Sequence, residues 1–233
     1  MIKDSDAPAA EFSARQIIAT LIPTYAVLLF VSGSPQLVDP FIRFDDFPAL
    51  VLWPVHFYEK TLGEGRWINY WWHLRGAETP SWLNWQIYLM GWATFSTAAA
   101  FHALGNARLL QTALLAILIS MAPQAALISL WFNTLIPGVW IIATYALITL
   151  NLGAVPSRLL LFLFVPLSLA AYSSFPLLLF AICLIRQDRP KSLADLVGLT
   201  VLFGLSMALG LLVIYSANYA VHGVFGIQLE DWR

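Results

Sequence analysis

From Leu109 to Val155 no side chain carries a charge, and after Arg158 the chain stays uncharged again as far as Ile185. Inside a bilayer there is no water to satisfy backbone N–H and C=O groups, so runs of this kind cross it as helices that pair those groups internally. One span takes about 20 apolar residues, and the first run is therefore about two spans long. Composition agrees: 60% of the chain is apolar and 11% charged, against about 25% charged in a soluble domain. The fold class is all-α, a polytopic membrane helical bundle.

Prolines and polar strings divide the bundle into about seven spans. The first covers 16–33 and ends before Pro35; the second runs from Trp85 to Leu104. The uncharged stretch after Leu109 reads as one helix to about Trp131, kinked at Pro123, and another from about Pro137 to Leu152. Two short helices meeting at Pro123 with a re-entrant piece after them fit the same residues. The segment from Arg158 to Ile185 is long for one span and short for two, which predicts a tight hairpin near Tyr172, Ser173, Ser174 and Pro176. A last span runs from Leu193 to Tyr215, with Gly198, Gly204 and Gly210 spaced for close helix packing.

Arg108, Arg158, Arg186, Arg189 and Lys191 then fall at one side, which the positive-inside rule makes cytoplasmic. That predicts a cytoplasmic amino terminus at 1–15, an extracytoplasmic loop at 34–84, a helical bundle at 85–217 and an extracytoplasmic tail at 218–233. The tail returns His222, Glu230 and Asp231 towards the loop. The acidic start argues for a retained signal anchor, since a cleaved signal begins with positive charge. The location is the cytoplasmic (inner) membrane, multi-pass.

Against this apolar background the stretch DPFIRFDDFPALVLWPVHFYEKTLGEGRWINYWWHLR, Asp39 to Arg75, is a polar island. Ionisable groups in a membrane protein collect where chemistry happens. Here Trp53, Trp67, Trp71 and Trp72 are interleaved with the charges, and indoles favour the headgroup layer. Trp67, Tyr70, Trp71 and Leu74 stand at i, i+3, i+4, i+7, predicting an interfacial helix with an aromatic underside.

Asp45 and Asp46 lie just beyond the first span. Two carboxylates beside a low-dielectric surface split their protonation, and one can then serve as a general base on a hydroxyl. The same pair also suits a turn that caps a short helix before Pro48. Arg66, then Arg43, Lys60 and Arg75, are the candidates for holding a phosphate, with His56 and Glu64 completing the substrate-binding set. His56 and His73 with Asp45, Asp46 and Glu59 would be the donors for a divalent metal, but they lack paired helical spacing, and no metal ligand is assigned. His102 reads as structural. Cys183, in an apolar run, is a packing residue. No basic surface suits nucleic acid.

An Asp-Asp pair directly after the first membrane helix, followed by WPVHFYEKTLGEGRW on an outward loop of a many-spanning chain, resembles the GT-C class of integral membrane glycosyltransferases. More narrowly it is similar to bacterial glucosyltransferases that decorate cell-surface polysaccharide, which carry an aspartate pair and a downstream Gly-Arg, here Gly65-Arg66. The resemblance covers the first span and loop, and the remaining spans by hydropathy alone. The class carries more spans than this chain, so the likeness is to its amino-terminal part. It implies an inverting hexosyl transfer from a polyprenyl-phosphate sugar to a cell-surface glycan or lipid acceptor. The base would be a loop aspartate, Asp45 first and Asp46 second.

Overall fold

A computed structural model describes residues 12–33, 60–74, 78–105 and 108–228. Among these every regular element is a helix, with no strand. Helix α1, Ala14–Leu28, starts at a reciprocal cap in which Ser13 and Gln16 satisfy each other's backbone N–H, and it runs on into a π turn, Leu29–Gly33. Its buried side chains are Thr20, Thr24 and Leu28, four residues apart. Thr24 Oγ1 donates back to the Thr20 carbonyl at 2.9 Å, so this hydroxyl is satisfied within the helix. Ile18 and Ile22 face outward.

After a short helix α2, Trp67–His73, the chain enters α3, Ser81–Leu104, the centre of the molecule. Every side chain from Gly91 to His102 is buried. At 1.5 Å per residue α3 is about 36 Å long, enough for the hydrocarbon core. Four other segments are both long and apolar enough to cross a membrane: Ala14–Val31, Pro123–Asn151, Ala154–Ala171 and Leu193–His222. Neighbouring helices surround α3 and bury its Asn84, Thr94, Ser96, Thr97 and His102.

α4, Leu109–Ser120, stops one turn short of the expected kink. Ala122 is extended, with φ −56° and ψ 142°, the conformation the residue before a proline prefers. Pro123 then opens a new short helix, α5, Pro123–Ile128. A 3₁₀ turn follows, and α6, Phe132–Thr149, contains Pro137 in its interior instead of starting there. So the helix breaks at Pro123, and the second helix begins about one turn earlier than expected. α7, Ala154–Leu159, and α8, Leu161–Ala171, climb back. Tyr172 is extended and Phe175 starts α9, Phe175–Ile185, which is the expected hairpin. α10, Leu193–His222, extends two turns past the predicted end and finishes at Gly223, φ +72°.

The passes alternate between two ends. At one, Asn151 accepts from the Phe12 N–H, Gln187 donates to the Ala103 carbonyl, and Arg158 pairs with Asp195 at 2.6 Å. At the other, Asn84 donates to Asn133 and Trp67 to Asn218, both at 2.8 Å. α3 and α6 are parallel neighbours in the core, and α8 supports α10. Close packing through glycine is found at Gly210, where an added Cβ would lie 3.1 Å from Pro166 Cα; Gly198 and Gly204 face open space, against the expectation for both.

Arg186 locks the first end. It is 6% exposed, and its donors go to the Thr149 and Leu152 carbonyls, the Ser157 hydroxyl and the Asp188 carboxylate. Carbonyls at the last turn of α6 have no partner within that helix, and a guanidinium is the side chain that can serve several at once. Burial by itself raises the Asp188 carboxyl; the hydrogen bond and charge of Arg186 outweigh it and leave the group below its ordinary range.

Candidate functional site

The second half of the polar island is folded onto the bundle. Residues 60–64 form one helical turn closed by the Gly65 N–H on the Thr61 carbonyl at 3.0 Å. Gly65 has φ +71°, and a Cβ there would stand 2.6 Å from Ile214 Cγ2. Both the left-handed backbone and the contact with α10 require glycine. Gly65-Arg66 is thus a tight corner that presses the chain against the last helix.

The corner is pinned from both sides. Thr61 Oγ1 lies 2.9 Å from His222 Nε2, and the Gln228 N–H donates to the Leu62 carbonyl at 3.0 Å. Trp67 donates its indole N–H to Asn218 and packs 5.8 Å from the His222 ring. Asn218 in turn donates to the Gly226 carbonyl. The carboxyl-terminal end of α10 therefore meets the island, as the odd number of passes predicts for His222; Glu230 and Asp231 lie outside the described residues.

Arg66 leaves this corner with its guanidinium 4.9 Å above the Tyr172 ring and its Nε 2.7 Å from Glu64 Oε2. The ring face and the carboxylate hold the guanidinium plane, and its two terminal nitrogens form the fork that recognises phosphate. Glu64 and Arg66, both named from sequence, are brought together. Lys60, half buried, lies in the same helical turn. Asp45, Asp46, Arg43, His56 and Arg75 lie outside the described residues.

Helix α2 forms where expected, with Trp71 and Leu74 of its aromatic face turned away from the bundle and Trp67 of that face turned in. Trp67, Asn69 and His73 are buried, whereas Trp71 and Leu74, assigned to its aromatic underside, are 65% and 42% exposed. The helix docks on α6 and α8 as well as lying at a surface, so its polar positions are the enclosed ones. Trp72 donates to the Asn133 carbonyl at 3.1 Å. Below it, Thr79 donates to Asn84 and Asn84 to Asn133, a neutral amide chain joining the starts of α3 and α6.

Beside this end the Pro123 break leaves an apolar cavity of about 170 Å³. Leu28 and Val31 of α1, Trp85 and Trp92 of α3, and Met121 and Ala125 line it. Val31 and Met121 are exposed at its rim. Among the described residues no three His, Cys, Asp or Glu side chains converge as a metal site; of the metal candidates only His73 is described.

Tyr172, Ile214, Asn218 and Asn69 were not found by sequence reasoning. Asn218 had a legible signal, a polar amide inside an otherwise apolar span. Tyr172 had none, because its role depends on how the α8–α9 hairpin meets Arg66. No family model, curated protein or solved structure matches the chain.

Proposed function

We propose that the chain is a membrane glycosyltransferase of GT-C type that moves a hexose from a polyprenyl-phosphate carrier to a cell-surface glycan or lipid acceptor. The observation that carries the reading is Arg66, held by Glu64 and Tyr172 on a glycine corner docked against α10. A solvated loop has no use for such a fixed guanidinium, whereas a departing phosphate needs one. Asp45 is the general base on the acceptor hydroxyl, with Asp46 second, and Arg43, Lys60, Arg75 and His56 complete the anionic and sugar contacts. The amino terminus is cytoplasmic and the island faces outward at the cytoplasmic membrane, which the grouping of Arg158, Arg186, Arg189 and Lys191 at the far end supports. A carboxylate base and a guanidinium carry this transfer without a metal, although a divalent ion beside the carboxylates would be compatible with it.

The test is transfer in proteoliposomes from a radiolabelled polyprenyl-phosphate hexose. Asp45→Asn should abolish turnover in protein that remains inserted. Wild-type rates in both Asp45→Asn and Asp46→Asn would remove carboxylate catalysis from the reading. A non-catalytic lipid-carrier-binding or transporter subunit is the second reading, favoured by the apolar cavity whose rim residues Val31 and Met121 are exposed. Binding of the labelled donor without turnover would support it.

A further inference from the structure

Asn69 is 1% exposed, yet among the described residues neither its amide oxygen nor its amide nitrogen has a hydrogen-bond partner. An amide enclosed without partners costs several hydrogen bonds' worth of desolvation, and native structures keep such a group only for a reason. The other buried amides nearby, Asn84 and Asn133, are bonded to each other and to Thr79, so the environment is able to satisfy an amide. It leaves this one open.

Its position supplies the reason. Arg66 caps the start of α2 with non-helical backbone, φ −84° and ψ 59°, so its side chain departs where the helix begins. Asn69 and His73, three and seven residues on, lie on the buried side of α2, opposite the exposed Trp71 and Leu74. Asn69 lies about 4.5 Å along the helix axis from Arg66. A ligand whose phosphate sits on the Arg66 fork therefore carries its adjoining ring one turn along, to the amide. Asn offers two donors and one acceptor and no charge, which suits a hydroxyl, itself donor and acceptor, and not a second anion.

We infer that Asn69 is a specificity-determining residue that reads a ring hydroxyl of a phosphate-linked sugar through both atoms of its amide. The assignment rests on the proposed glycosyltransferase reading for its phosphate anchor. It adds the hydroxyl contact and the residue that makes it.

Because the amide bonds none of the described residues, Asn69→Leu, of similar volume and without polar atoms, has an unusual expected signature. Thermal stability should be unchanged or raised, while sugar recognition falls. Two measurements on the full chain in proteoliposomes test it: direct binding of a panel of polyprenyl-phosphate hexoses with the monodeoxy form of each, and transfer from the same donors. Wild type should discriminate against one deoxy position by roughly 10- to 100-fold, and Asn69→Leu should bind that deoxy donor and its parent equally. Wild type that binds every deoxy donor as well as its parent overturns the inference, as does an Asn69→Leu protein that keeps wild-type discrimination. Discriminating binding with no transfer by wild type leaves Asn69 in its role and removes the transferase reading. Transfer without any discrimination does the reverse, and no binding of any donor removes both.

Discussion

Gly65 and Gly198 separate two uses of one residue type. At Gly65 a positive φ and a 2.6 Å approach to Ile214 act together. Gly65→Ala should therefore lower stability by about 1–3 kcal/mol. Pairing it with Ile214→Ala should recover only part, since the backbone strain remains. Gly198 meets nothing within 4 Å in mid-helix, and Gly198→Ala should raise stability by roughly 0.5–1 kcal/mol. Thermal unfolding in detergent checks both, and equal effects of the two substitutions would contradict the packing described. Arg66 makes a sharper case at the same corner. Arg66→Lys keeps the charge but loses the planar fork and the stacking on Tyr172, so binding of the proposed donor should weaken about tenfold or more with the fold intact.

At the scale of elements, the joint between α6, α7 and α9 depends on Arg186. Arg186→Met strips the Thr149 and Leu152 carbonyls and Ser157 of their shared donor and should cost roughly 3–5 kcal/mol. The pair with Asp188 adds a pH signature. The Asp188 carboxyl is depressed in the folded protein, so the unfolded chain holds that proton more tightly. The stabilisation is whole above the ordinary carboxylate value, about 3.9, and is lost as pH falls through the lower folded value. Comparing unfolding midpoints of wild type and Asp188→Asn from about pH 7 down to about pH 3 should show the difference shrinking. A constant difference would mean that the pair does not act through ionisation. Proline behaviour was only partly legible at this scale. Pro23, Pro137 and Pro166 lie inside helices while Pro123 begins one, and the ring alone does not decide between a kink and a break. Neighbouring helices that can cover the freed carbonyl decide it.

For the whole molecule, the alternation of passes yields a topology prediction. Cys183 is the chain's one cysteine and is buried, so added cysteines can be labelled against a silent background. With Arg186 and its neighbours cytoplasmic, Gln187→Cys should react with a membrane-impermeant maleimide only after cells are permeabilised, and Phe225→Cys should react in intact cells. The opposite pattern would reverse the orientation and put the Gly65-Arg66 corner inside. What the sequence alone determined was the class of fold, an all-α bundle of apolar helices, and which connecting segments carry the basic residues. These follow from hydropathy and charge, properties each segment carries without its neighbours. Only tertiary structure decided which face of α2 is enclosed, which of the three glycines in α10 touches another helix, and that Arg66 rests on Tyr172. Each of those is a contact between segments far apart in the chain, and periodicity within one segment holds no information about what stands opposite it.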